Sequence, residues 1–310
     1  MNKVLIMLST YNGQKYLREQ LDSLYAQEGV DIHIIVRDDG SSDNTHAILE
    51  EYRNAYGKLT VLKEKNIGAS LSFHRLLAEV SSSYPDYDYY AFCDQDDVWL
   101  SDKLITAVSE LEKIPSKFKL YYCAATLVDS QLKLLNRSSG NVINNLPANI
   151  VASHSLGCTQ VFDQSLMQKA AIIGRKIEQL PDGLYVPLHD GWTALVAYAL
   201  NATIIYDAIP KILYRQHEHN VIGGGGNNFD KFKSRILRNT TGNKKSRKCE
   251  TLIKLLRNEI PQDNLILLDL CANYRNSFKK KMFVLFNKKL YQYGFSTNIG
   301  LFFMILFNKF

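Results

Sequence analysis

The chain has 310 residues, 46% of them hydrophobic and 22% charged, the composition of a globular protein with a sizeable core. Its five cysteines are odd in number and form no C-x-x-C pair, which argues against a disulfide framework or a thiolate zinc site and fits a reducing compartment. The net charge of +6 is lopsided: residues 227–310 carry 17 Lys and Arg against 5 Asp and Glu, a balance of +12 that leaves the rest at −6, so two regions with different partners are expected.

Residues 3–8 are continuously apolar and read as a strand buried on both faces. A polar turn, Ser9-Thr10-Tyr11-Asn12-Gly13, leads into a helix with Tyr16, Leu17, Leu21 and Leu24 at helical spacing. Residues 32–36 form a second strand ending in Arg37-Asp38-Asp39-Gly40-Ser41-Ser42-Asp43, where Asp43 is placed to cap a helix carrying Ala47, Ile48 and Tyr52. Residues 59–62 are a third strand, and Asn66-Ile67-Gly68 opens a helix with Leu71, Leu76, Leu77 and Val80. Residues 87–93 are a fourth strand, followed by a helix marked by Leu104, Val108 and Leu111 and stopped near Pro115. This repeated β-α alternation predicts an α/β fold, a mostly parallel Rossmann-like sheet with helices on both faces. Beyond Phe118 the alternation loosens. Residues 120–125 and 155–162 read as strands of mixed direction, residues 189–200 as a helix, and residues 204–206 and 212–214 as short strands. The run Gly223 to Gly226 is a break, so residues 1–222 are expected to form a catalytic domain and residues 227–310 a basic helical region.

The densest chemistry lies at the end of the fourth strand, in Cys93-Asp94-Gln95-Asp96-Asp97-Val98-Trp99. Three carboxylates in four positions repel one another unless a cation sits among them, and a hard divalent ion there would hold a phosphate-bearing substrate. The alternative is an acidic turn whose Asp97, or Ser101 beyond it, caps the next helix. In parallel sheets ligands sit beyond the carboxyl ends of the strands. Three polar clusters, at Thr10, at Asp38-Asp39 and at Asp94 to Asp96, share that rim. No G-x-G-x-x-G follows the first strand and no phosphate loop ending in Gly-Lys-Ser/Thr exists, so dinucleotide and P-loop chemistry are not expected.

The motifs Ser9-Thr10-Tyr11-Asn12, Arg37 to Asp43 and Asp94 to Trp99 resemble the signature of family 2 glycosyltransferases, which have the GT-A fold. His189-Asp190-Gly191-Trp192 and Tyr214-Arg215-Gln216-His217-Glu218-His219-Asn220 resemble its bacterial rhamnosyltransferase branch. The resemblance implies an inverting, metal-dependent transferase acting on a nucleotide-diphosphate sugar. Thr10, Tyr11, Asn12, Asp38 and Asp39 would hold the nucleoside, with Asp39 accepting the N3–H of uracil or thymine; Asp94 would face the ribose or the metal's waters. Asp96 would ligate Mg²⁺ or Mn²⁺, with His217 as a further ligand and His219 a weaker one. Asp190 would be the general base, or else a helix N-cap. Trp192 would line the acceptor site, or else pack in a helix core, and Gly157 would let the backbone approach the donor sugar. The family often has His-Asp-Trp where this chain inserts Gly191.

The branch points to dTDP-L-rhamnose as donor and to a bacterial cell-surface polysaccharide or lipid-linked saccharide as acceptor. A UDP-hexose donor, galactose or glucose, is the alternative. So is a nucleotidyltransferase-like protein, although Ser9 to Gly13 lacks the basic residue such enzymes use to hold triphosphate. The tail alternates Lys279-Lys280-Lys281 and Lys288-Lys289 with Phe283, Phe286, Tyr291, Tyr293 and the apolar residues 299–307. That pattern fits a surface helix on anionic lipid at the inner face of a cell membrane. Packing on the catalytic half is the competing reading, and nucleic acid is not the expected partner. No run reaches the ~20 apolar residues a membrane span needs, and the opening apolar stretch is too short for a secretory leader, so a cytoplasmic location is expected.

Overall fold

The apolar strand read at the start of the chain stands inside a seven-stranded sheet. The structure is a computed structural model that describes residues 1–137, 145–152, 155–180, 185–217 and 243–310. Its first half follows the expected alternation: β1 (Lys3–Thr10), α1 (Leu17–Tyr25), β2 (Asp31–Asp38), α2 (Thr45–Tyr56), β3 (Leu59–Lys63), α3 (Ala69–Ser83) and β4 (Tyr89–Cys93). Then come β5 (Val98–Trp99), α4 (Lys103–Glu112), β6 (Lys119–Cys123), β7 (Thr126–Val128), β8 (Leu134–Arg137) and α5 (Leu146–Val151). A 3₁₀ turn at Gly157–Thr159 precedes β9 (Val161–Asp163), α6 (Gln164–Ala170), α7 (Ile172–Lys176), α8 (His189–Ala199), β10 (Thr203–Asp207) and β11 (Ile212–Arg215).

The large sheet has the order β10-β6-β9-β4-β1-β2-β3, and only β9 runs against its neighbours. A second sheet, β5-β11-β7-β8, is mixed. Alternate residues of β1 point to opposite faces. Val4, Ile6 and Leu8 join a core with Leu17, Leu21, Ile48, Leu104 and Val108, under α1, α2 and α4. Leu5 and Met7 join the other core with Phe73, Leu76, Leu166, Trp192 and Leu195, under α3, α6 and α8. Burial on both sides explains why residues 4–8 include no polar position.

One sequence expectation is corrected and one alternative set aside. Residues 155–162 are not one strand: the 3₁₀ turn occupies their middle, and only Val161 and Phe162 enter the ladder. Nor does the acidic cluster cap the next helix. β5 intervenes and pairs with β11, α4 starts after Asp102, and Asp97 Oδ1 accepts the Arg215 backbone N–H at 3.0 Å instead.

The C-terminal helices Lys244–Leu256, Gln262–Ala272, Phe278–Leu285 and Phe295–Leu306 pack on the N-terminal half. Cys249, Leu252, Leu268, Leu285, Leu301 and Ile305 belong to the same buried cluster as Trp192 and Leu195. Lys248 Nζ donates to Asn149 O at 2.7 Å and Tyr293 Oη to Ala148 O at 2.6 Å, so polar bonds cross the seam as well. The expected boundary at 222–227 lies outside the described residues. All five cysteines are buried free thiols. No described helix is long and apolar enough to cross a membrane.

Candidate active site

The carboxyl ends of β1, β2 and β4 lie side by side, because Thr10 pairs with Asp38 and Leu8 with Cys93. Each strand's last residue therefore delivers its polar turn to one rim. Asn12 takes a left-handed φ of 48°, where asparagine is tolerated. Its N–H donates to Ser41 Oγ at 2.9 Å, and its Oδ1 accepts the Ser42 N–H at 2.9 Å. The first turn is thus latched to the second.

Gln95 latches the third. Thr10 Oγ1 donates to Gln95 Oε1 at 2.7 Å, and the Tyr11 N–H reaches the same oxygen at 2.9 Å. Gly13 sits against this latch: a Cβ there would stand 2.5 Å from Gln95 Oε1 and 2.7 Å from Thr10 Oγ1.

Asp38 and Asp39 are buried. Asp38 Oδ1 accepts the Ser41 N–H and hydroxyl, while its Oδ2 is buried with no partner. Asp39 ion-pairs with buried Arg37 and accepts the Ile67 and Gly68 N–H groups, each at 2.9 Å. A carboxylate has about four acceptor positions, and these contacts use three of them on Asp39. Tyr11 is half exposed and faces solvent beside these groups.

Beyond β4 the acidic groups crowd together. Asp94 is pushed up to about 7, first by burial, then by Asp96 and Asp190. Asp97, fully buried, is raised well above the carboxylate range by burial and by Asp94 and Asp96. Asp190, in the first turn of α8, is pushed up to about 6 by burial, against the Gly191 N–H that its Oδ1 accepts at 2.6 Å. Cys158 has its sulfur within 4.8 Å of the Asp94 and Asp97 ligand atoms, and a Cβ on neighbouring Gly157 would lie 3.3 Å from Asp190 Cβ, so the Gly157–Cys158 turn brings the end of β4 and the start of α8 together.

Two donor groups could bear on a cation. Ligand atoms of Asp94, Asp97 and Cys158 lie within 4.8 Å of one another. Burial raises the Cys158 thiol well above its usual range, and a protonated sulfur is a poor partner for a hard ion. The other group is Asp96 with His217, whose Nε2 lies 2.8 Å from Asp96 Oδ2. Neighbouring ligands of an octahedral ion at ~2.1 Å stand roughly 3 Å apart, so this spacing suits two ligands of one ion. Of the two groups, the Asp96 and His217 pair offers a carboxylate oxygen, the ligand type that suits Mg²⁺ or Mn²⁺, together with an imidazole nitrogen.

The profile described as glycosyl transferase family 2 matches residues 5–158, which span all three turns and Gly157. The dTDP-rhamnosyl transferase RfbG of Shigella flexneri is 31% identical over 220 residues, 70% of this chain and 73% of that protein. The chain belongs to glycosyl transferase family 2. An uncharacterized glycosyltransferase of Rickettsia prowazekii, RP339, is 27% identical over 58% of this chain and 56% of its own. Among solved structures, S. aureus TarS residues 1–349 with UDP-GlcNAc superposes with a TM-score of 0.53 at 16% identity, covering 98% of this chain and 90% of that one. The Pyrobaculum calidifontis mannosyltransferase PcManGT, with GDP-Man and Mn²⁺, gives 0.50 at 15% identity, over 99% and 85%. At these identities the likeness is one of fold, and the fold is GT-A. The protein is a glycosyltransferase.

Other expected residues of this family 2 enzyme stand differently from their sequence reading. Trp192 is fully buried, and its Nε1 donates to Ala170 O at 2.8 Å. A ring enclosed in the core has no face for a sugar, so the acceptor role expected for it is corrected to packing. Gly157 does make a close approach, but to α8: a Cβ there would lie 2.6 Å from His189 Nε2 and 3.3 Å from Asp190 Cβ. Thr10 is buried and spends its hydroxyl on Gln95, so its side chain holds the first turn in shape rather than facing outward. His219 and the glycine run lie outside the described residues.

Three residues that carry the site were not singled out from sequence. Gln95 latches two turns and Arg37 neutralises Asp39. Arg215, 1% exposed, donates through Nε to Asp96 O at 2.7 Å, Nη1 to Ser130 O at 2.7 Å and Nη2 to Glu19 Oε2 at 2.6 Å. Its guanidinium lies 4.4 Å from the Tyr16 ring centroid, and Tyr16 stacks on His217 at 5.2 Å. All three stand inside the motifs already noted. The usable signal is a Gln or Arg set among residues otherwise assigned to ligands.

Proposed function

We propose that this glycosyltransferase is an inverting, metal-dependent enzyme that moves L-rhamnose from dTDP-L-rhamnose to a bacterial cell-surface polysaccharide or lipid-linked saccharide. The observation that carries this reading is the shared rim: β1, β2 and β4 end side by side at Thr10, Asp38 and Cys93, and the Gly157–Cys158 turn packs Cys158 beside Asp94 and Asp97 and Gly157 against Asp190. The similarity to RfbG, named as a dTDP-rhamnosyl transferase, supports the donor.

In this reading Tyr11, Asp38 and Asp39 hold the nucleoside, with the free acceptor position of Asp39 turned to the N3–H of thymine. Asp94 faces the ribose. Asp96 and His217 hold Mg²⁺ or Mn²⁺. The cation, when bound, would offset charge gathering on the departing diphosphate. Asp190 takes the proton from the acceptor hydroxyl as that oxygen attacks the anomeric carbon from the face opposite the diphosphate. A carboxyl group raised to about 6 is ionised at neutral pH yet more basic than an exposed one, which suits a general base. Gly157 keeps the 3₁₀ turn close against Asp190, and so positions the base rather than the sugar. Residues 1–222 carry the chemistry, and residues 227–310 hold the enzyme at the cytoplasmic face of a membrane.

The test is incubation with Mn²⁺ and, separately, dTDP-L-rhamnose, UDP-galactose and UDP-glucose, scoring freed nucleoside diphosphate and the mass of the glycosylated acceptor. Turnover with dTDP-L-rhamnose alone supports the reading. Turnover confined to a UDP-hexose contradicts the donor assignment, and turnover undiminished by chelation contradicts the metal.

A further inference from the structure

The helix Phe295–Leu306 is apolar on two opposite sides. Leu301 and Ile305 are buried in the core, whereas Phe295, Ile299, Phe303 and Phe307 are exposed, Phe295 by 83% and Phe307 by 65%. These four stand at steps of four residues, so they form one slowly turning row along the helix. The Phe303 and Phe307 rings stack with centroids 6.0 Å apart. A contiguous row of large apolar groups in water is rarely left without a partner.

The row lies beside a strongly basic element. Lys281 Nζ donates to Leu306 O at 2.7 Å, which seats helix Phe278–Leu285 against the far end of the row. That helix exposes Phe278 and Phe283 and carries Lys279, Lys280 and Lys281. From Ser277 to Phe310 the sequence has six lysines and no acidic residue. Lys279, Lys288 and Lys289 are exposed and make no ion pair among the described residues. The inner faces of these helices are already spent on the core, so the outer face is the one left to meet something.

We propose that this outer face docks on an anionic phospholipid bilayer, with the Phe and Ile row entering the headgroup–acyl boundary and the lysines meeting lipid phosphates. The proposal rests on the reading above that the enzyme works at a membrane, and adds the face and the lipid class. The two halves of the surface need each other: the apolar row supplies buried area, and the lysines supply attraction to negative headgroups. A second copy of this chain is a poorer occupant, because it would bring like charge against like charge. Ile299 has no ring for a base to stack on, and the Phe303 and Phe307 rings already stack on each other, which makes a nucleic acid a poorer occupant too.

The experiment is cosedimentation of the full chain with phosphatidylcholine vesicles and with vesicles that also contain phosphatidylglycerol. The expected result is binding that requires phosphatidylglycerol and fades as salt rises. The double variant Phe303→Ser/Phe307→Ser, and separately Lys288→Ala/Lys289→Ala, should each weaken it by about tenfold or more, since a lysine near such a surface counts for about fivefold. Both pairs are exposed, so donor turnover on a soluble acceptor should stay at the wild-type rate. Full turnover without binding to anionic vesicles overturns the docking proposal and leaves the enzymatic reading standing. Binding without turnover on any donor does the reverse. Dimerisation removed by the phenylalanine pair, or tighter binding to single-stranded DNA than to vesicles, also overturns the proposal.

Discussion

Arg215 is where the acidic turn meets the rest of the protein, and its replacement by Met is the sharpest test of how the site is held. The substitution keeps most of the side chain's apolar length and removes its charge and donors. Asp96 O and Ser130 O, each bound at 2.7 Å, lose a charged donor, at roughly 1 to 3 kcal/mol apiece. The stacking on Tyr16, with the guanidinium 4.4 Å from the ring centroid, contributes about 1 kcal/mol more. Glu19 is half exposed and regains water, so its ion pair adds little. Methionine packing recovers part of the loss. The net expectation is about 3 to 5 kcal/mol, a large share of the roughly 5 to 15 kcal/mol that holds a typical domain. Equilibrium urea unfolding of the two proteins measures it. Turnover should fall further than unfolding alone explains, because the carbonyl that the guanidinium holds belongs to Asp96, whereas the backbone N–H that Asp97 accepts is kept in the variant. A loss below about 1 kcal/mol would refute the assignment of Arg215 as the clamp of the acidic turn.

Asp190→Asn keeps an oxygen for the Gly191 N–H and removes the base, so donor affinity by calorimetry should hold while kcat drops by roughly 10²-fold or more. Because the base acts ionised and titrates at about 6, the wild-type rate should rise with pH through that value, and residual activity in the variant should lose that limb. Gly157→Ala should cost about 1 to 3 kcal/mol and lower turnover, since the new methyl meets His189 Nε2 at 2.6 Å; unchanged melting and rate would count against the close approach. His74 is buried and held down to about 4, so both states are neutral above about 6.5 and its share of stability is complete there. Below that the unfolded chain takes up a proton the folded one resists, and about 3 kcal/mol should be lost as pH falls toward 4. His74→Gln should flatten that slope in pH-dependent unfolding, and an unaltered slope would exclude His74 as its source.

The first four strands were readable because parallel strands covered on both faces become unbroken apolar runs, as residues 4–8 show. β9 was harder: at three residues it is too short for a pattern, and it runs antiparallel between two parallel neighbours. The carboxylates of the site announced themselves through the cost of their crowding. What holds them did not, because Arg215 and Glu19 meet across 196 positions and a lone arginine reads as solvated. Trp192 misled for a related reason. An aromatic two residues from a candidate base suggests a sugar platform, and only the packing of α8 on α6 turns it inward to Ala170. For the basic tail the sequence left a lipid-facing surface and packing as competing readings, because an apolar run does not say which of its sides meets the core; its helices have one face in the core and one in water.

The most direct measurement is anomalous diffraction from crystals grown with Mn²⁺ and dTDP. The account predicts a single strong peak bound by Asp96 and His217, beside Asp94, with the pyrophosphate on it and the thymine edge at Asp39. A peak elsewhere, or a nucleotide seated away from the Asp94 and Asp190 carboxylates, would contradict it.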